Sequence, residues 1–115
     1  MDLRESILER FVIVAITAPG EEEGTRIGRL LVEERLAACV NVISGIRSIY
    51  RWKGEVCDER EALLWVKTRA GLLPKLEDRV RQVHPYELPE VIAIDISHGL
   101  PEYLSWVAQE TEESA

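Results

Sequence analysis

An α+β domain of order β-α-β-β-α-β, closed by a short C-terminal helix, is the fold class this sequence predicts, and three patterns lead to it. Phe11 to Ile16 and Val91 to Ile96 are apolar runs rich in β-branched residues, as expected of strands covered by other elements. Two segments, one after Pro19-Gly20 and one around Pro74, repeat their apolar residues at helical spacing. Between them, from Cys39 to Lys67, the period falls to two and the chain turns back on itself.

Phe11-Val-Ile-Val-Ala-Ile16 reads as a central strand. Pro19-Gly20 breaks it, and Glu21, Glu22 and Glu23 place negative charge where the first turn of a helix exposes its amide groups. The inward stripe of this helix is Ile27, Leu30, Leu31 and Ala38, widened by Val32 and Leu36, with Arg26, Arg29, Glu33 and Glu34 in solvent. From Cys39 through Val40-Asn-Val-Ile43 and past Ser44-Gly45 to Ile46-Arg-Ser-Ile-Tyr-Arg-Trp-Lys53 the pattern is strand, Gly45 marking a bend or bulge. In its second half Ile46, Tyr50 and Trp52 share one face and Arg47, Arg51 and Lys53 the other. Lys53-Gly54-Glu55 turns the chain, which returns through Glu61-Ala-Leu-Leu-Trp-Val-Lys67 as the other half of a long hairpin. Leu72, Leu73, Leu76, Val80 and Val83 mark the second helix, which tolerates Pro74 only in its first turn. His84-Pro-Tyr-Glu-Leu-Pro89 then leaves the helix, because each proline drives the residue before it to extended geometry. Val91 to Ile96 is the last strand, and Pro101 to about Gln109 forms the short helix that buries Leu104 and Val107.

This order matches the split β-α-β arrangement of the ferredoxin-like fold, with residues 1–115 a single domain whose core is 11–109. Residues 1–9 and 110–115 are expected to be flexible, Met1 to Arg10 being either a helical lead-in or a frayed arm. Two helices cover one sheet face. The other displays apolar side chains from Val14, Ile16, Leu63, Trp65, Ile92 and their neighbours, whichever parity points outward, and something must cover it. The hairpin raises the same demand, since a strand from Val40 to Lys53 reaches about 45 Å at roughly 3.3 Å per residue, against a diameter of roughly 35 Å for a compact domain of this size. Its overhanging end carries Ile46, Tyr50 and Trp52, and pairing with further copies of the chain in a closed ring would bury them.

The net charge of −7, from 21 acids against 14 bases, disfavours a phosphate backbone as partner. No apolar run approaches the roughly 20 residues of a membrane span, and Phe11 to Ile16 lacks the cationic lead of a secretory signal. Two cysteines are too few for a disulfide framework and lack the paired spacing of a zinc site, so a reducing cytoplasm is expected. No glycine-rich phosphate loop, pair of metal-binding histidines or serine nucleophile elbow is present.

Among residues that can carry chemistry, His84 ends a helix beside Pro85, Tyr86 and Glu90; it is either held there by the helix dipole or serves as a ligand or proton carrier. His98 sits in an ordinary Ser-His-Gly turn. Lys67 and Glu90 form a salt bridge or an acid and base pair, with the salt bridge favoured. Cys39 is a packing residue or a thiol ligand, while acids around Cys57 disfavour its thiolate and leave it no role. Tyr50 and Trp52 alternate with arginines, and the acidic total favours an interface over nucleobase stacking.

Taken together, Thr17-Ala-Pro19, Glu33-Glu-Arg-Leu-Ala-Ala-Cys-Val-Asn41, Ser48-Ile-Tyr50 with Trp52 and Gly54, and His84-Pro-Tyr-Glu-Leu-Pro-Glu90 resemble the CutA divalent-cation tolerance family from about Phe11 to Val107. The resemblance implies a compact cytoplasmic homotrimer with a role in tolerance of copper and other divalent metals, and because no catalytic motif is present the leading reading is non-enzymatic. No cofactor is required on this reading; a divalent cation such as copper would be weakly bound. The family's proposed copper ligands are a cysteine just before Thr-Ala-Pro, where this chain has Ile16, and histidines ending the second helix, where it has Val83 and His84. Its polar pocket between subunits would be carried here by Cys39, Asn41, Lys67, His84, Tyr86 and Glu90, with a metal ion or a small anion as occupant. In architecture the family also resembles the trimeric PII signalling proteins, so the rival reading is a regulatory module that binds a metabolite and a partner protein. A third reading is an enzyme using Lys67, His84 and Glu90.

Overall fold

The computed structural model describes residues 10–111, so the expectations for 1–9 and 112–115 lie outside the described residues. Four strands, β1 (Phe11–Ala18), β2 (Cys39–Trp52), β3 (Glu55–Arg69) and β4 (Val91–Asp95), form one antiparallel sheet in the order β2-β3-β1-β4. Helix α1 (Glu21–Glu33) connects β1 to β2, and a 3-10 turn (Ala70–Leu72) leads from β3 into α2 (Leu73–Val83). Helix α3 (Pro101–Glu110) closes the chain. This is the predicted ferredoxin-like order, with Pro74 in the first turn of α2 and Glu21, Glu22 and Glu23 in the first turn of α1.

Cross-strand pairing decides which residues lie under the helices. Val14 stands opposite Val66 and Ile16 opposite Leu64, and these four are fully buried with Ile27 and Leu31 of α1 and Leu76 and Val80 of α2. Val14 and Ile16 therefore belong to the helix-covered face, whereas Leu63, Trp65 and Ile92 lie on the opposite one. The registers Thr17 to Leu63, Ala15 to Trp65 and Ala15 to Ile92 fix that assignment. Helix α1 comes close to the sheet because two of its inward positions are glycines. A Cβ on Gly24 would lie 3.1 Å from Leu64 Cδ2, and one on Gly28 3.0 Å from Val40 Cγ1.

The predicted α1 stripe runs too far. The helix ends at Glu33 because Arg35 takes the left-handed conformation at φ 61°. The amides of Arg35 and Leu36 then bond back to the carbonyls of Val32 and Leu31 at 3.0 and 2.9 Å, the paired bonds of a Schellman ending. Ala38 is buried as expected but as part of the approach to β2, its amide bonded to the Lys67 carbonyl. Val32 does not widen the stripe; it is 39% exposed. The helix stop left no mark in the sequence because glycine usually fills this position. Arginine is used instead, and its guanidinium reaches the Gln109 carbonyl at 2.7 Å, tying α1 to α3.

The hairpin overhangs as its length requires, giving the molecule extents of 51 × 27 × 22 Å. Lys53 and Gly54, at φ 50° and 83°, make the two-residue type I′ turn that suits the twist of paired strands, with Trp52 opposite Glu55. A bulge at Ser44-Gly45 lets three steps on β2, Ile43 to Ile46, match two on β3, Leu63 to Glu61. The close α1 contact supplies a test. Gly28→Val adds a Cβ and two methyl groups where the Cβ alone would be tight against Val40, so the variant should lose about 1–3 kcal/mol, read as a lower melting temperature. An unchanged melting temperature would mean that α1 does not rest on Val40 through this position.

Candidate functional site

Polar side chains gather at two places on the sheet face that the helices leave open. The first lies where the chain leaves α2. Pro85 holds His84 extended at φ −78°, ψ 137°, and this turns the imidazole inward until it is only 8% exposed. Its Nδ1 accepts the Tyr86 amide hydrogen at 3.1 Å, so the ring proton sits on Nε2, which donates to the Thr17 carbonyl at 2.7 Å. Both nitrogens are occupied by backbone groups. His84 thereby pins the connector to β1, and its ring lies 4.7 Å from that of Tyr86. The Tyr86 hydroxyl donates to Glu61 at 2.6 Å, and Glu61 is 7% exposed although it sits on the open face. Burial first, and then the hydrogen bond and charge of Glu61, push the Tyr86 phenol far above its ordinary value.

The second place lies at the other end of β3. Cys39 stands directly opposite Lys67, and Asn41 opposite Trp65. The Lys67 ammonium donates to Asn41 Oδ1 and lies 3.9 Å from Cys39 Sγ. Helix α3 brings Tyr103 to the same spot, its phenol pushed up by burial and by the neighbouring Cys39. The helix is clamped there by Arg69, which donates to the Thr111 hydroxyl at 2.8 Å and to its carbonyl at 2.5 Å. Thr111, two residues past the predicted core boundary at 109, is fully buried.

The expected pocket residues therefore fall into two groups within one chain: Cys39, Asn41 and Lys67 at one end, His84 and Tyr86 with exposed Glu90 at the other. Along β3, Glu61 and Lys67 are separated by roughly 20 Å at about 3.3 Å per residue. Lys67 and Glu90 do not meet: Lys67 is level with Ile13, whereas Glu90 precedes Val91, which is level with Ile16, and β1 lies between β3 and β4. The favoured salt bridge is thus replaced by the Lys67–Asn41 contact. Sequence reading missed Glu61, whose signal was an acid heading an apolar strand, and Tyr103, which had none. Among the described residues, no group of three or more His, Cys, Asp or Glu is arranged to hold a metal ion.

The Tyr86–Glu61 bond has a pH signature. A phenol that ionises later in the folded than in the unfolded chain contributes fully below its unfolded value near pH 10, and the contribution is lost as pH rises beyond that point. Tyr86→Phe should therefore flatten the fall in melting temperature above pH 10, leaving the smaller slopes from Tyr50 and Tyr103, which are raised in the same direction. At neutral pH it should cost about 1.5–3 kcal/mol, because Glu61 loses its donor. Identical alkaline slopes in parent and variant would rule out the bond.

This architecture recurs in known proteins. The family profile "CutA1 divalent ion tolerance protein" matches residues 12–110. The chain is 52% identical over 99 residues to the divalent-cation tolerance protein CutA of Thermus thermophilus, covering 86% of this chain and 96% of that protein. It is 50% identical over 97 residues to Protein CutA of Mus musculus, but spans only 55% of that longer protein. Among solved structures, the T. thermophilus divalent cation tolerance protein superposes with a TM-score of 0.86 at 50% identity, over 89% of this chain and 99% of that one. CutA1 from Oryza sativa gives 0.87 at 43% identity, over 91% and 96%. The chain belongs to the CutA1 divalent ion tolerance family.

Proposed function

We propose that this chain acts in tolerance of divalent cations as a non-enzymatic homotrimer, with a pocket for a small ligand or a weakly held cation where subunits meet. The observation that carries this reading is the division of the polar residues into two groups about 20 Å apart along β3, on a face that, among the described residues, only α3 meets, and only at the Cys39 end. One copy cannot bring them together, whereas a neighbour's end can lie against the first. The same face leaves Ile43, Ile92 and Ile94 exposed at 44, 54 and 46%, and the overhang leaves Tyr50 at 40% and Trp52 at 36%. A closed ring of copies removes these surfaces from water together.

Copper would be held weakly on this reading. Ile16 is fully buried within the helix-covered core, Val83 is half-buried, and binding at His84 would require breaking one of its two backbone hydrogen bonds. Soft thiolate and imidazole ligands select copper, and no pair of them is free at this position. The Thermus thermophilus relative is named for divalent-cation tolerance and for no reaction, which supports a role other than catalysis. The PII-like alternative gains nothing from the hairpin, which turns in two residues and extends no loop. Cys39 and Cys57 are unpaired, in keeping with a reducing cytoplasm, and no helix among the described residues is long and apolar enough to cross a membrane. Relatives named as chloroplastic, in rice, and periplasmic, in Archaeoglobus fulgidus, show the family in other compartments.

Two measurements test the proposal. Sedimentation equilibrium should find the parent trimeric at micromolar concentration and Trp52→Ala dissociating at least tenfold more readily, since truncating a buried Trp costs on the order of 3–5 kcal/mol. A stable monomeric parent would end the trimer. Calorimetry with Cu²⁺ should give micromolar affinity or weaker, and nanomolar binding would refute the ligand argument.

A further inference from the structure

The groups around Cys39 have a common chemistry: they offer protons and contain no acid. Arg26, Arg47, Arg79 and Lys53 each lie within 4 Å of a carboxylate, as expected in a chain of net charge −7. Lys67 has none among the described residues; its half-buried ammonium meets only Asn41 Oδ1 and Cys39 Sγ. Tyr103, whose phenol is pushed up by burial and by Cys39, comes from the first turn of α3, and the Asn41 side chain adds an amide. Beside these donors, on the same face, stand an indole and an aliphatic group, Trp65 opposite Asn41 and Ile13 opposite Lys67.

We propose that Lys67, Asn41 and Tyr103 bind the carboxylate of a small monoanion with an apolar body, which rests on Trp65 and Ile13. A single ammonium balances one negative charge. Of the groups named, only Lys67 carries a full positive charge, so a phosphate dianion at this half-buried spot would keep a second charge unmatched by any cation bonded to them. The apolar neighbours exclude nothing anionic by charge but favour a hydrocarbon body over a hydrated one. The inference rests on the reading of Cys39, Asn41 and Lys67 as ligand-binding residues. Every group comes from one chain, but Trp65 and Ile13 lie on the face that the proposed trimer covers, so in the assembly the ligand would sit at a subunit boundary.

The test is calorimetric titration of the full chain with benzoate, with benzyl alcohol as its uncharged counterpart and with inorganic phosphate. It is repeated on Lys67→Met and on the charge-preserving Lys67→Arg. Benzoate should bind the parent, benzyl alcohol at least about tenfold more weakly, and Lys67→Met should lose about tenfold or more of the benzoate affinity, as expected when a charged hydrogen bond is removed. Lys67→Arg should keep most of it, and amide shifts should centre on Cys39, Asn41, Lys67 and Tyr103. Preference for phosphate would overturn the carboxylate assignment while leaving a pocket at these residues. A parent that binds no benzoate, with Lys67→Met weakening self-association in sedimentation, would place Lys67 against a carboxylate of another copy and overturn the small-molecule assignment. A folded parent that binds neither anion, with assembly unaffected by Lys67→Met, would overturn the inference and leave the trimer and the family role standing.

Discussion

Everything on the open face depends on the parity of β3. Its even residues from Ala62 to Thr68 are fully buried on the helix side, and its odd residues, Glu61, Leu63, Trp65 and Lys67, face the other way. A slip of one residue against β1 would drive Lys67 and Glu61 into the core beneath α1 and α2 and push Leu64 and Val66 into water, so register is strongly specified. The bulge at Ser44-Gly45 extends this constraint to the overhang. Before it, the even residues of β2, Val40 and Val42, lie on the helix side. After it, Ile46, Tyr50 and Trp52 are level with Glu61, Cys57 and Glu55 and join the open face. One extra residue, accommodated by Gly45 at φ 74°, places the overhanging aromatics on the same face as Leu63 and Trp65.

The strands and their order were legible because period-two and continuous apolar runs report burial directly, and Pro19-Gly20, Gly54 and Pro85 punctuate them. What stayed hidden depends on contacts distant in sequence. The end of α1 rests on Arg35 in a conformation normally signalled by glycine, tolerated while its side chain reaches Gln109. Which parity of β1 faces outward could not be read because Val12, Ile13, Val14, Ala15 and Ile16 are all apolar; pairing with β3 and the placing of α1 decide it. At the site, motifs singled out His84, Tyr86 and Cys39, and the end of an apolar strand singled out Lys67, yet spacing along β3 separates them, and a chain order of residues carries no measure of that distance. Glu61 and Tyr103 entered only through tertiary contacts with Tyr86 and Cys39.

His84 illustrates how a motif residue can be structural first. A histidine with both nitrogens bonded to backbone is a rigid link, and here it joins the connector to the Thr17 carbonyl next to the edge where β4 begins. That link positions Tyr86 over Glu61, so the buried carboxylate depends on a phenol that is itself held by the imidazole beside it. Surface ion pairs such as Arg79 with Glu34 and Arg47 with Asp58 add little by comparison, since their charges remain largely in water.

The open face is apolar in its middle and polar at both ends, and this arrangement constrains how copies can meet. Leu63, Trp65, Ile92 and Ile94 provide the driving force, which is nearly indifferent to sliding because apolar contacts have no direction. Glu61 and Lys67 are not indifferent. Any docking that covers the apolar middle in the wrong register would bury one of these charges without a partner, at a cost of several kcal/mol, whereas the register that lets each keep its hydrogen bonds avoids it. In the proposed trimer the polar ends thus exclude alternative dockings as well as forming a pocket. A face of uniform hydrophobicity would assemble as strongly but without a defined geometry, and no site shared between subunits could be built on it.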